Sequence, residues 1–263
     1  MSRRTPEMVL DVDVRNPGQF FACCGVLEMA SRMWPGSEVQ GWFDGADFCV
    51  FTPGVKDPLC ALVDRLVTTK PLVQPCPDAP RFEPNIAPVW FKPVNLRLDW
   101  WLTPSGAATS DPMLKLWAGN QSATKNIFPG LEKALPRVVG PDAPPGRDLL
   151  RRRTPMSGRL GVDPGPAWDA LDVGFSPNEH EGLDVDTAPV TEILGAVGLQ
   201  RFRPARADGR HLAFAVWSEP LPVIAARAVA ACALSGRRYG FAVNSRGRYK
   251  SFGYAEEMEE SDS

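Results

Sequence analysis

The last basic stretch of the chain, residues 237–254, combines the residue types that bind nucleic acid. It contains all three tyrosines of the protein, interleaved with five cations and no acid. Arginine and lysine hold phosphates, while aromatic faces stack on unpaired bases. A solvated hairpin whose aromatic residues face a core would have the same composition, and this alternative stays open. Together with an arginine run at 151–153, the stretch supplies the candidate nucleic-acid contacts Arg151, Arg152, Arg153, Arg237, Arg238, Arg246, Arg248, Tyr249 and Lys250.

Positive charge is unevenly distributed along the chain. The formal net charge is −2, but five acids fall in the last eight residues, so the rest of the protein is net positive. Residues 201–250 contain nine arginines and one lysine against two acids. Such segregation matters more than the sum for steering a polyanion. Four of these arginines flank a turn at Asp208-Gly209: Arg201, Arg203, Arg206 and Arg210.

Residues that could support catalysis are few. Metal or acid–base chemistry would centre on Glu179-His180-Glu181, although a solvated acidic loop explains this segment better. Cys23 and Cys24 fall in an apolar helix, and no motif ties either of the two histidines to them. The chain has no glycine-rich phosphate loop and no nucleophile elbow. The sequence therefore predicts no catalytic residue, no cofactor and no metal site.

Cysteine usage and hydropathy indicate a reduced, soluble, cytoplasmic protein. The six cysteines form no CxxC pair, and most of them lie in apolar runs. No run approaches the length of a membrane span, and no signal peptide is recognisable at the start of the sequence.

The elements that must position these residues are short and mixed. Asn16-Pro17-Gly18-Gln19 is a helix start with an N-cap and resembles a capping box, and the helix that follows runs through about Trp34. Further helices are predicted at 58–68, from Asp111 through Lys125, and at about 187–198 and 219–234. Strands are predicted at 8–14, 39–43, 47–52, 94–102, 211–217, 239–243 and 248–254. Without a regular βαβ rhythm, this order predicts an α+β fold, mainly antiparallel sheet with packed helices.

Composition divides the chain into four segments. Residues 1–135 and 166–254 are predicted α+β regions, the second ending in the basic hairpin. Residues 136–165 form a basic loop rich in proline and glycine, which we expect to be mobile or ordered by a ligand. Residues 255–263 form an acidic tail that we expect to be disordered and to shield the basic surface.

Three stretches together resemble a known family. They are NPGQFFACCG at 16–25, GRLGVD at 158–163 followed by WDALDVGFSPNE at 168–179, and RYKSFGY at 248–254. They are similar to the short Csb-type, Cas-eight-like subunit of subtype I-U (also called I-G) CRISPR effector complexes, over residues 8–255.

The resemblance implies a non-catalytic, RNA- or DNA-binding subunit of a type I interference (Cascade) complex. Its partners would be guide RNA, target DNA, the other backbone subunits and a separate helicase–nuclease. It implies no residue-level site. Two alternatives stay open. A guide-RNA-processing endoribonuclease would need His180 or His211 as a base, although a core or capping role suits His211 better. A purely structural subunit could use Trp90, Phe91, Trp100 and Trp101 as an interface, although a core is favoured for them.

Overall fold

The computed structural model describes residues 4–105, 107–117, 121–165, 184–246 and 249–258, with only the backbone of Arg246 and Tyr249. The predicted α+β class is confirmed: helices pack against several antiparallel sheets. The described α-helices are α1 (Pro17–Met33), α2 (Pro58–Thr68), α3 (Phe128–Ala134), α4 (Pro189–Arg201) and α5 (Val223–Ala230). None of them combines the length and the apolar character that crossing a bilayer requires.

Two four-stranded antiparallel sheets form the frame. The first has the order β1-β3-β2-β11, with β1 (Met8–Asp11), β2 (Gln40–Asp44), β3 (Asp47–Phe51) and β11 (Leu221–Pro222). The second has the order β13-β12-β10-β9, with β9 (Ala205–Arg206), β10 (His211–Val216), β12 (Arg237–Arg246) and β13 (Tyr249–Glu257). Smaller sheets join β4 (Val73–Pro75), β5 (Val89–Phe91) and β6 (Leu96–Leu98), and pair β7 (Thr154–Met156) with β8 (Val185–Thr187).

The start of α1 is the one its sequence predicts. The Asn16 side chain accepts a hydrogen bond from the Gln19 amide at 3.1 Å, and Pro17 occupies the first turn. The Gln19 side chain accepts a hydrogen bond from the Asp13 amide at 2.8 Å. In a capping box it would accept from the amide of the N-cap residue, Asn16, instead. Residues 17–30 of α1 are all buried, which places this helix at the centre of the molecule.

Helices α1 and α4 touch backbone to backbone. A Cβ atom on Gly25 would lie 2.0 Å from the Leu194 carbonyl oxygen, and one on Gly198 would lie 1.8 Å from that of Phe21. Only glycine permits this approach. Beside the pair, Phe20 stacks on Phe214 of β10 with ring centroids 4.0 Å apart. Since α1 and α4 come from the two predicted α+β regions, these regions share one continuous hydrophobic core.

Residues 136–165 contribute several side chains to this core, although much of the segment is exposed. Leu149, Leu150, Leu160 and Val162 are fully buried, and β7 lies within the segment. These apolar side chains interrupt the proline- and glycine-rich composition and pack inward. The boundary of the acidic tail also moves: β13 continues through Glu257, and residues 259–263 lie outside the described part.

Three further elements differ from their predictions. The helix expected from Asp111 begins at Ala123, because the Asp111 side chain closes a turn by accepting from the Met113 amide at 2.8 Å. Ser122 caps the real start, accepting from the Lys125 amide at 3.2 Å. The strand expected at 94–102 is limited to β6 (Leu96–Leu98), and the last helix is limited to Val223–Ala230.

Candidate nucleic-acid interface

The terminal hairpin is confirmed, and its register shows which aromatic residues could meet a ligand. β12 and β13 pair from Tyr239↔Glu257 to Arg246↔Tyr249, with an irregularity between Phe241 and Val243. Tyr239 is 3 % exposed and stacks on Phe214 with ring centroids 5.6 Å apart, so it belongs to the core. Tyr254 is 48 % exposed. The side chain of Tyr249 lies outside the described part.

The base of the hairpin is partly neutralised by the acidic end of the same strand pair. The Arg237 guanidinium lies 3.7 Å from the Glu257 carboxylate and 5.4 Å from the centre of the Tyr239 ring. Arg238 is exposed, and no described acid pairs with it. Glu257 therefore pairs with Arg237, one of the predicted nucleic-acid contacts, and leaves Arg238 open to solvent.

Four cations gather at the opposite end of the hairpin. Lys250 Nζ donates to the Pro112 carbonyl oxygen at 2.6 Å, and its amide donates to the Leu116 carbonyl oxygen at 3.1 Å. Arg210 donates to Ser245 Oγ at 2.9 Å, and Arg206 donates to Asp111 Oδ2 at 2.6 Å. We call this group the hairpin-tip surface; its members are Lys115, Arg206, Arg210 and Lys250.

Lys115 is the half-buried member of this surface and lies near Lys250. Burial, followed by the charge of Lys250, lowers the pKa of Lys115 below its ordinary value. Its ammonium donates to the Trp117 carbonyl oxygen at 2.7 Å and lies 5.4 Å from the centre of the Trp117 ring. The backbone register places Arg246 at the same end of the hairpin, while Arg248 and the Arg246 side chain lie outside the described part.

The arginine run at 151–153 makes several contacts within the protein. Arg152 binds Asp148 through two bonds of 3.0 and 2.8 Å and also donates to the Val138 and Ala143 carbonyl oxygens. Arg153 donates to Asp163 at 3.1 Å. Arg151 is exposed and has no described acid partner. Two of the three candidate contacts therefore brace the segment 136–165 internally.

The stretches that carry the family resemblance converge on one buried polar network. Asn16 Nδ2 donates to Asp163 Oδ1 at 2.9 Å, which joins the first string to the second. The Phe252 amide donates to the Gly161 carbonyl oxygen at 3.2 Å, which joins the third string to the second. The described parts of the strings thus form one structural unit, although residues 168–179 lie outside the described part.

Glu192 of α4 anchors this unit. Its carboxylate, fully buried, accepts from the amides of Leu160 at 2.6 Å, Gly161 at 3.0 Å and Asp163 at 3.1 Å. Burial raises the pKa of Glu192 to about 7, against the lowering effect of the amide donors and of Arg159. The sequence did not single out this residue, since its partners lie about thirty positions earlier in the chain.

A second buried carboxylate, Glu28 of α1, collects three arginines. Arg32 donates to it at 2.7 Å, Arg201 lies 3.4 Å away, and Arg227 makes a further contact. Burial, followed by the charge of Arg227, lowers the pKa of Arg201. Only Arg32 is a local partner, four residues from Glu28 on the same helix. Arg201 is thus a structural contact, although the sequence groups it with candidate binding arginines.

Among the described residues, the candidate catalytic groups Cys23, Cys24 and His211 form no site. Cys23 and Cys24 are fully buried, and burial raises the pKa of both thiols well above the ordinary value. His211 is exposed, with Nδ1 3.1 Å from the Asp208 carbonyl oxygen, which corresponds to the capping role. Glu179-His180-Glu181 lies outside the described part, and no described group of His, Cys, Asp or Glu could hold a metal ion.

The aromatic cluster weighed as an interface is core, as favoured. Phe91, Trp100 and Trp101 are fully buried, and Trp90 is half-buried. Trp100 and Trp101 also contact Trp117, with ring centroids 6.0 and 5.2 Å apart.

Comparisons with family models, with curated proteins and with solved structures give no match.

Proposed function

We propose that this chain is a non-catalytic nucleic-acid-binding subunit of a type I CRISPR interference complex, where it helps hold guide RNA or target DNA. The observation that supports this most is the hairpin-tip surface. There Lys115, Arg206, Arg210 and Lys250, drawn from three separate parts of the sequence, meet at one end of the hairpin. The partners in this proposal are guide RNA, target DNA, the other backbone subunits and the helicase–nuclease.

The surface suits contact with phosphates better than reading of base sequence. Arg210 is exposed and bonds only a hydroxyl, so its charge is available, and Lys250 is half-buried with a carbonyl partner. Arg206 is 58 % exposed although it pairs with Asp111, which is itself buried. Cations held in this way supply sequence-independent, salt-sensitive binding.

The direct test neutralises two cations and keeps their hydrogen bonds. Arg210→Gln with Lys250→Gln should weaken binding of a single-stranded RNA and reduce the logarithmic salt slope by about 2, because each substitution releases about one phosphate. The matched control is Lys56→Gln with Arg65→Gln, two exposed cations at α2 without a described acid partner. Equal affinity and equal slope in all three proteins would remove the hairpin-tip surface from the proposal.

The assembly itself is tested by co-expression with the genomic neighbours, followed by purification through a tag on this chain. A short repeat-flanked RNA recovered with several proteins supports the interference complex. Partner proteins recovered without nucleic acid favour a purely structural subunit. The chain recovered alone and free of RNA would count against the proposal.

A guide-processing endoribonuclease is the second candidate, because His211 is exposed directly beside Arg210. Its backbone pairs with Ala242 of β12, and its imidazole is open to solvent next to the hairpin-tip surface. A histidine near cations can act as a general base in RNA cleavage. Unchanged processing of a repeat RNA by the His180→Ala, His211→Ala double variant would remove this candidate.

A further inference from the structure

A cleft of about 490 Å³ opens between the 3₁₀ turn Ala79–Arg81, the end of β6 and the segment after α4. This volume falls within the range of sites that hold small molecules. The residues that decide its chemistry are Asp78, Arg81, Phe82, Arg97, Asp99 and Arg203. None of them belongs to the hairpin-tip surface or to the predicted contacts.

The acids of the cleft are already bound. Arg97 donates to Asp78 at 2.8 Å and to Asp99 at 2.7 Å. The other oxygen of Asp99 accepts from Gln200 of α4 at 2.9 Å, so this wall is tied to the core. The hydrogen bond from Arg97 holds the pKa of Asp78 below its usual value. Neither carboxylate therefore needs a cation from a ligand.

Two arginines of the cleft remain without such a partner. Among the described residues no acid pairs with Arg81 or Arg203, and both side chains line the cleft, from two segments far apart in the sequence. A guanidinium donates two parallel hydrogen bonds to a phosphate, and two of them can hold one phosphate from different directions. Phe82 adds a half-buried apolar wall suited to a sugar or base.

We infer that this cleft binds the phosphate of a nucleotide through Arg81 and Arg203, with Arg97 fixing the wall between them. Two sources share this chemistry: a free nucleotide, and one nucleotide of a strand that runs along the hairpin-tip surface. The second source rests on the proposed function. Continuity supports it, since the Asp111 amide donates to the Trp101 carbonyl oxygen at 2.7 Å, and Arg203 lies just before β9, which contains Arg206.

The experiment measures binding of two probes to the full chain by calorimetry. The probes are adenosine 5′-monophosphate, with adenosine as the uncharged control, and a twelve-nucleotide single-stranded RNA. The test variant is Arg81→Gln with Arg203→Gln, and the matched control is again Lys56→Gln with Arg65→Gln. A second variant, Arg81→Lys with Arg203→Lys, keeps the charge and removes the planar fork.

We expect the glutamine variant to lose at least tenfold in affinity for one of the probes, and the lysine variant to fall between it and the native chain. Loss for the monophosphate, with adenosine not bound, identifies a free nucleotide. Loss for RNA alone identifies a nucleotide of a strand. Unchanged affinity for both probes, or no binding of either, overturns the inference. If the cleft variant loses RNA affinity while Arg210→Gln with Lys250→Gln does not, the cleft stands and the hairpin-tip surface fails.

Discussion

Two buried carboxylates, Glu28 on α1 and Glu192 on α4, lie on helices that touch backbone to backbone, yet their surroundings are opposite. Glu28 is met by three guanidinium groups that remain 24 to 37 % exposed. Glu192 is met by three backbone amides, all of them buried with it. The first environment supplies three cations to one carboxylate, and the second supplies backbone dipoles at hydrogen-bond distance together with the nearby charge of Arg159.

This difference separates two structural tasks. At Glu28, one carboxylate gathers the ends of α1, α4 and α5, and its arginines can turn toward water if the carboxylate is removed. At Glu192, one carboxylate accepts from three buried amides of residues 160–163. Buried polar groups are costly when left without partners, so the second arrangement is the more vulnerable.

The largest effect is expected from Glu192→Ala. The change leaves three buried amides without an acceptor, at roughly 1–3 kcal/mol for each unsatisfied group, so we expect a loss of about 4 kcal/mol in the free energy of unfolding. Urea denaturation measures it. Glu219→Ala, which removes an exposed carboxylate without a described partner, serves as the control and should leave stability nearly unchanged. A Glu192→Ala protein as stable as this control would show that the amides find water instead.

The sequence predicted the features that depend on residues close together in the chain. Asn16 and Pro17 define the start of α1, and the strand patterns at 239–243 and 248–254 predict the hairpin, because capping and strand periodicity depend on neighbours in the chain. The role of Glu192 depends on amides about thirty residues away, and those of Arg152 and Arg153 on whether a carboxylate faces them. Such pairings follow from packing, so the same run of arginines could be a binding surface or an internal brace.

Glu28→Ala should cost less, about 2–3 kcal/mol, because water can solvate the three arginines that it leaves behind. The pairing is isolated by a double-mutant cycle with Arg227→Leu, measured by urea denaturation. Removing Arg227 after Glu28 should then cost less than removing it from the native chain. Additive losses would mean that Glu28 and Arg227 are not coupled. Arg227 would then not distinguish the environment of Glu28 from that of Glu192.

The smallest effect, and the sharpest test of the difference, is the pH dependence that Glu192 should introduce. Its pKa of about 7 in the folded protein lies above its ordinary value of 4.5, so the folded state binds the proton more tightly than the unfolded state. Stability from this group is therefore complete below the unfolded value and declines as the pH rises toward 7. Linkage puts the loss between pH 5 and pH 7 at about 2 kcal/mol. In Glu192→Gln, which cannot titrate, unfolding free energies over this range should lack that decline. Parallel curves for the two proteins would mean that the three amides and Arg159 keep the Glu192 carboxylate ionised.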